Sequence, residues 1–405
     1  MIDAAAVIMR LREIDARSGG RREAWRPVWQ AEREALNEWA RVLAPQARIE
    51  RDRFANTWYL LDGASEETVL VGSHSDCVPG GGWLDGILGL AAGLGVLGAV
   101  ASQSRRRDQP AQRTLAVVDW ADEEGTRFGR SLLGSGAAAG TLTRDEFDGL
   151  RTADGIPARE VAARYGFDAG GLGTRSPRLA RVVAALELHI EQGPRLAAAK
   201  RSLAAVSGCL GVRRHRLSFV GTAGHAGATP MAGRRDPVRA AARFIDRTAQ
   251  VAADANGLAT VGSLEAEPGL PTAVAAACRL SLDLRHARLD VLEQLDAGAL
   301  DQARRCANET GCELHTTDLH RQDPITFDPR LLTAVQRVGP GEPLVSGPLH
   351  DSAALAQAGV PTAMLFVPST GGISHTRSED TPERDLRAGI EALWTLASEW
   401  LRGAS

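Results

Sequence analysis

Residues 67–74 read Glu67-Thr-Val-Leu-Val-Gly-Ser-His74, a short apolar run that ends on a polar turn. An uninterrupted apolar stretch of this length, rich in β-branched residues, is a strand buried on both faces. Working outward, residues 86–101 form a helix of small residues that can pack closely on a sheet. Arg113-Thr-Leu-Ala-Val-Val-Asp-Trp120 and Ala184-Ala-Leu-Glu-Leu-His-Ile190 repeat the strand pattern. Upstream, Ile8, Leu11 and Ile14, then Trp29, Ala35, Leu36 and Trp39, recur at helical spacing. Buried strands alternating with helices predict an α/β fold whose mostly parallel sheet is flanked by helices.

The pattern changes near Ser207. Residues 213–221 (RRHRLSFVG), 258–265 and 279–285 alternate polar and apolar side chains, as half-exposed strands do. Residues 237–253 and 291–309 read as amphipathic helices. Two helices over an antiparallel sheet make an α+β unit of roughly 110 residues. Buried strands return with Pro361-Thr-Ala-Met-Leu-Phe-Val-Pro368. The expectation is a catalytic domain formed by residues 1–206 and 321–405, interrupted by an inserted domain at 207–320.

The 405 residues carry 47 Lys+Arg and 50 Asp+Glu, a formal charge of −3, so no electrostatic drive favours nucleic acid or an anionic membrane. Five scattered cysteines make neither a disulfide framework nor a CxxC metal pair. The N-terminus lacks the basic start and long apolar core of a secretory signal, and residues 87–101 are too short to span a bilayer. These features predict a soluble cytoplasmic protein. Arg105-Arg-Arg107 reads as a solvated loop.

Chemistry-bearing residues cluster where the strands of the first domain end. His74 and Asp76 form an H-x-D pair, followed by Pro79-Gly-Gly-Gly82 and Asp85. Asp122-Glu123-Glu124 follows the next strand, His189 and Glu191 the third, and His375 the last. Ligands of open α/β sheets bind beyond the carboxyl ends of the strands, so these segments can converge. Taken singly, each has an ordinary structural reading: a satisfied imidazole beside a strand, a solvated acidic loop. Their joint occurrence at four strand ends is harder to explain that way, since charge near a core needs a partner. Imidazoles and carboxylates without a thiolate suit zinc, and also manganese or cobalt. Asp85 can share its two oxygens between two cations, and of the pair Glu123-Glu124 one can bind metal while the other acts as base.

The segments GSHSDCVPGGGWLDGILG (72–89), DEEGTRFGRSLLGS (122–135), ELHIEQGP (187–194), GHAGATPM (224–231) and GGISHTRSED (371–380) resemble, in that order, the N-carbamoyl-L-amino-acid hydrolases, ureidopropionases and allantoate amidohydrolases. The resemblance runs from about residue 50 to the C-terminus. It implies a dinuclear-metal amidohydrolase with two divalent cations per subunit, one held by His74 and His189, the other by Glu124 and His375, with Asp85 bridging. It further implies that Asp76 orients the His74 imidazole and that Glu123 takes the proton of the metal-bridging water and passes it to the leaving nitrogen. The inserted domain would be a lid and homodimerisation module, from which His225 stabilises the oxyanion. Gln192 would hold the amide or ureido group of a small-molecule substrate and Arg285 its carboxylate.

Three departures fall on substrate-facing positions. Thr272 stands where the family usually has an asparagine that helps bind the carboxylate; a hydroxyl lacks the second polar atom of a carboxamide. Ser346-Gly-Pro-Leu-His350-Asp351 replaces the usual Ser-Gly-Ala-Gly-His-Asp; His350 is kept as a candidate substrate contact, while Pro348 removes a donor and Leu349 adds bulk. Cys77 replaces a usual threonine. An N-acyl-amino-acid hydrolase or dipeptidase with the same metals, and a binding protein that has lost turnover, are the competing readings.

Overall fold

In the Ser65–His74 strand the side chains of Val69, Leu70 and Val71 are all buried, yet they point into two different cores. Val69 and Val71, with Leu115, Val117, Leu186, Leu188, Leu365 and Val367, pack against the helices Ala4–Ser18, Ile87–Arg107 and Glu383–Leu401. Leu70, with Ala116, Val118, Trp120 and Ala185, packs on the other face against Trp25, Trp29, Phe147, Phe167 and Leu355. Period-two alternation feeding two apolar layers explains why the strand sequence shows no polar face. The coordinates are a computed structural model that describes residues 2–403.

The described chain forms two units, one made of residues up to Gly208 and from Thr326 onward, the other of Cys209–Ile325. At the centre of the first unit's sheet, Arg113–Trp120, Ser65–His74, Val182–Ile190 and Thr362–Val367 lie side by side in parallel. Antiparallel strands flank them: Thr57–Leu61 beside Arg113–Trp120, and Ala204–Cys209 beside Thr362–Val367. The α/β class and mostly parallel sheet therefore hold, with antiparallel margins added. The helix Ile87–Arg107 lies close on this sheet because a Cβ on Gly89 would sit 2.3 Å from the Leu188 carbonyl oxygen. It runs on past residue 101, so Arg105, Arg106 and Arg107 form its last turn instead of a loop, where cations favour the C-terminal end of the dipole. By length and composition this helix could cross a membrane, but Ile87, Leu88, Leu90, Leu94 and Leu97 are buried in the core.

The residues leading from the first helix into the second brace the end of the Ser65–His74 strand. Arg33 and Asp119 are both fully buried and pair at 2.7 Å; Arg33 also donates to Thr57 Oγ1 at 2.7 Å and lies over the Trp29 ring. Asp119 accepts from the Ser75 amide and hydroxyl, both at 3.0 Å. The Ser75 hydroxyl oxygen also accepts from Trp29 Nε1 at 3.1 Å, and the Ser75 carbonyl accepts from Arg22 Nε at 3.0 Å. Removing Arg33 leaves a buried carboxylate unpaired. Arg33→Met is expected to destabilise the protein by about 3–5 kcal/mol in urea denaturation, and a loss below about 1 kcal/mol would contradict this account of the pair.

The second unit is an antiparallel sheet in the order Leu264–Glu267, Ala277–His286, Gly211–Val220, Glu313–Gln322. The helices Pro237–Asp254 and Leu289–Thr310 supply Phe244, Leu292 and Leu295 to a core with Leu217, Phe219, Leu280, Leu282 and Leu284. The expected strand at 258–265 is two strands, Leu258–Thr260 and Leu264–Glu267, both paired to Ala277–His286. Between them the Ser263 amide turns to the Ser281 hydroxyl at 3.1 Å, which interrupts the ladder.

Arg213 and His215 occupy inward positions of this sheet and are buried. Arg213 pairs with Glu293 and with Asp323. His215 lies between Asp296 on the Leu289–Thr310 helix (2.6 Å) and Asp318 on the edge strand (2.8 Å), with Arg321 also 3.2 Å from Asp296. The hydrogen bond to Asp296 raises the His215 pKa against its burial. Burial alone would raise Asp296, but His215 and Arg321 outweigh it and hold its carboxyl below the ordinary value. The raised imidazole stabilises fully below the ordinary histidine pKa of about 6.5 and loses its contribution as pH rises through the folded value. The depressed carboxylate stabilises above about 3.9 and loses its contribution as pH falls. The stability gap between wild type and His215→Gln should therefore be widest near about pH 5 and shrink by about pH 9, as read from denaturation midpoints. A gap that grew with pH would reverse the sign.

Candidate metal centre

The strand pairing brings His74, Asp76, Asp85, Glu123, Glu124, His189 and His375 to the carboxyl end of the parallel strands. His74 is the last residue of its strand and is buried. Its Nδ1 lies 3.1 Å from the backbone carbonyl of Asp76, which can only accept, so the proton belongs on Nδ1. His189 is fixed in the same way, with Nδ1 2.9 Å from the carbonyl of Ile190. Both Nε2 atoms then turn toward one oxygen: Asp85 Oδ1 is 3.2 Å from His189 and 3.9 Å from His74. Gly86 makes this approach possible, because a Cβ there would fall 2.3 Å from the His74 ring.

The other oxygen of Asp85 faces a second set. Oδ2 lies 3.1 Å from His375 Nε2, which is 3.5 Å from Glu124 Oε2. Two groups of three potential ligands thus share Asp85, namely His74, Asp85 and His189, and Asp85, Glu124 and His375. His375, Gln192 and Asp122 all adopt left-handed backbone conformations, at φ of 59°, 57° and 59°. Such φ values in non-glycine residues persist where the surroundings impose them, and they concentrate at functional sites.

Two acceptor nitrogens aimed at an acceptor oxygen repel unless a proton or a cation lies between them. Burial pushes the His74 pKa down to about 4. For His189 burial also lowers it, but the bond to Asp85 outweighs that and raises the pKa to about 9. Burial would raise Asp85, yet His189 and His375 hold it well below the usual range. Burial, then Glu124 and Asp351, push Glu123 well above its ordinary value; burial, then Asp85 and Asp76, do the same to Glu124. Among the described residues, the basic groups within 4 Å of the Asp85, Glu123 and Glu124 carboxylates are imidazoles. The buried Glu124 Oε1 has no hydrogen-bond partner. A donor set this acidic, with an orphaned oxygen, fits two divalent cations, which would compensate the carboxylates and take the imidazole lone pairs.

Glu123 stands beside these groups, with Oε2 3.8 Å from His74 Nε2. The Asp76 carboxylate lies 3.6 Å from His74 Nδ1. It accepts from the Glu123 and Glu124 amides at 3.3 and 3.2 Å and so fixes the turn that presents both acids, while its carbonyl orients His74. Asp122 anchors the same turn, accepting from Trp25 Nε1 at 2.5 Å. Gln192, expected to meet substrate, directs Nε2 to Asp85 Oδ2 at 2.9 Å; its buried Oε1 has no partner. His350 is buried beneath His189, ring centroids 4.4 Å apart, and its Nε2 meets Ser346 Oγ at 2.9 Å. Burial and then His189 hold it well below the usual imidazole pKa.

The remaining candidates belong to the second unit. Gly224–His225 pairs with Ala273–Val274, and the Ala226 amide donates to the Thr272 carbonyl at 2.9 Å, so His225 and Thr272 are neighbours on one small ladder. His225 and Thr272 are exposed. Arg285 pairs with Asp283 on its own strand at 2.7 Å, and Asp283 also receives Arg214. Two residues, Glu187 and Glu379, escaped the sequence reading, whereas Glu191 was read there beside His189. Glu191 accepts from the Arg195 and Leu196 amides at 2.8 and 2.7 Å, which makes it a cap and not a ligand. Glu187 accepts from the Ser352 hydroxyl at 2.6 Å and from Ser73 at 3.2 Å. Glu379, buried, accepts from the Leu84 and Asp85 amides.

Residues 70–399 match Peptidase family M20/M25/M40. The chain is 35% identical over 339 residues to an N-carbamoyl-L-amino acid amidohydrolase of Geobacillus stearothermophilus, covering 81% of each chain. It is 31% identical over 356 residues to an allantoate amidohydrolase of Bacillus subtilis, covering 85% of this chain and 84% of that one. Among solved structures it resembles an amidase of the hydantoinase/carbamoylase family from Burkholderia multivorans, with a TM-score of 0.88 and 31% identity over 100% of this chain and 98% of that one.

Proposed function

This chain belongs to Peptidase family M20/M25/M40 and is a hydrolase of carbon–nitrogen bonds, and on that premise we propose that its substrate is the linear amide or ureido bond of an N-carbamoyl amino acid or a related N-substituted amino acid. The observation that carries this reading is Asp85, whose two oxygens face two separate ligand groups. His74 and His189 would hold one divalent cation, Glu124 and His375 the other, with Asp85 between them. Zinc fits this donor set, and manganese or cobalt can replace it. When bound, such cations polarise a carbonyl and acidify water.

The protein's own groups would do the rest. Glu123, buried beside both ligand groups, takes the proton of the attacking water and returns it to the leaving nitrogen. Asp76 keeps Glu123 and Glu124 on their turn. From the inserted unit, in a cytoplasmic homodimer, His225 would donate to the oxyanion, and Arg285 and Thr272 would meet the substrate carboxylate. The unpartnered Oε1 of Gln192 can accept from a ureido N–H.

The test is a panel of carbamoyl, acetyl and formyl amino acids and dipeptides, assayed before and after chelation. Amine or ammonia release from carbamoyl substrates should vanish with chelator and return with zinc, manganese or cobalt. Hydrolysis of acyl substrates or dipeptides alone would favour the second reading, an acylase or dipeptidase, which the family match itself admits.

A further inference from the structure

We infer that Glu379 is a positioning residue that builds the Asp85–Glu124–His375 cation position and leaves the His74–Asp85–His189 position largely to the strands. The inference rests on the two-cation reading above. Glu379 is 2% exposed, four residues beyond His375. Its Oε1 accepts from the backbone amides of Leu84 and Asp85, both at 3.0 Å. Its Oε2 lies 3.0 Å from the hydroxyl of Ser374, and that hydroxyl lies 3.2 Å from Asp85 Oδ2. One carboxylate therefore grips the residue that offers a bridging carboxylate and the residue preceding the half-exposed imidazole. Gly82 is shaped around it, since a Cβ there would fall 2.2 Å from the Glu379 carboxyl carbon.

The two cation positions depend on this grip unequally. His74 and His189 are carried by buried strands and fixed by backbone carbonyls. His375 instead lies on a loop with left-handed backbone at the imidazole. Gln192 Nε2 touches the same Asp85 oxygen and Ser374, and the Arg377–Asp15 pair adds a second tie, but neither reaches the Leu84 and Asp85 amides. Loss of Glu379 leaves those two amides without their acceptor and takes one partner from the Ser374 hydroxyl, which keeps Asp85 Oδ2 and Gln192, so the loop-borne ligand and Asp85 lose the tie that joins them to the Leu84 and Asp85 backbone.

The experiment is a zinc or manganese titration of metal-stripped protein by calorimetry, with bound metal counted after gel filtration. Wild type should take up two cations per chain. Glu379→Ala should bind the weaker one about 10- to 100-fold less tightly, with the tighter one changed by less than about threefold. Glu379→Gln keeps an oxygen for the two amides and should recover most of the second affinity. Should Glu379→Ala fail to fold, Ser374→Ala removes the other arm of the same bridge and should weaken the second cation selectively. Wild type that binds fewer than two cations sinks the functional reading. Wild type that binds two, beside a variant that loses both equally or neither, overturns only the role of Glu379.

Discussion

Glu123→Ala protein should turn over its substrate about 10²- to 10⁴-fold more slowly than wild type, the range that one general acid–base group contributes. The loss should appear in kcat, with KM little changed, because the proton transfer matters in the transition state and not in substrate binding. Two cations per chain should still bind, since Glu123 stands beside the ligand groups and not among them. The distinction from Glu124 is sharp. Glu124→Ala removes an oxygen from the second ligand group and should lower cation content as well as rate. A Glu123→Ala enzyme with undiminished kcat would remove the assigned base.

Asp85→Ala should have the larger effect, because it takes an oxygen from both ligand groups at once. His74 and His189 would face a cation with no shared carboxylate, and Glu124 and His375 would do the same. Metal content should fall below one cation per chain and activity to the background of the uncatalysed reaction. Asp85→Asn offers one oxygen and one donor, so it should keep at most one position and remain inactive. Full activity in either variant would end the account of a shared carboxylate.

Much of this site was legible because strand ends are legible. Apolar runs such as 67–74 and 113–120 located the carboxyl edge of the sheet, and the imidazoles and acids just beyond it could be read together. Letters do not say which atom of a residue works: the H-x-D spacing pointed to Asp76, whose carbonyl lies 3.1 Å and whose carboxylate lies 3.6 Å from His74 Nδ1. Arg213 and His215 sat in an alternating strand as if exposed, yet both face inward, because Glu293 and Asp296 on a helix about 80 residues away satisfy them. Nothing local to His350 announces that its ring packs against His189. Glu379 drew no reading from the sequence, since its partners are backbone amides nearly 300 positions earlier, which no local pattern encodes.

The bracing of Ser75 has a practical meaning for anyone trimming this protein. The match to the peptidase family begins at residue 70, so the first sixty-odd residues could pass for a dispensable leader. Yet Arg22, Trp29 and Arg33 hold the residue that follows His74, directly or through Asp119, and Trp25 holds the turn that carries Glu123. A shortened version starting where the family match begins would keep every ligand in its sequence and lose the scaffolding that keeps two of them still.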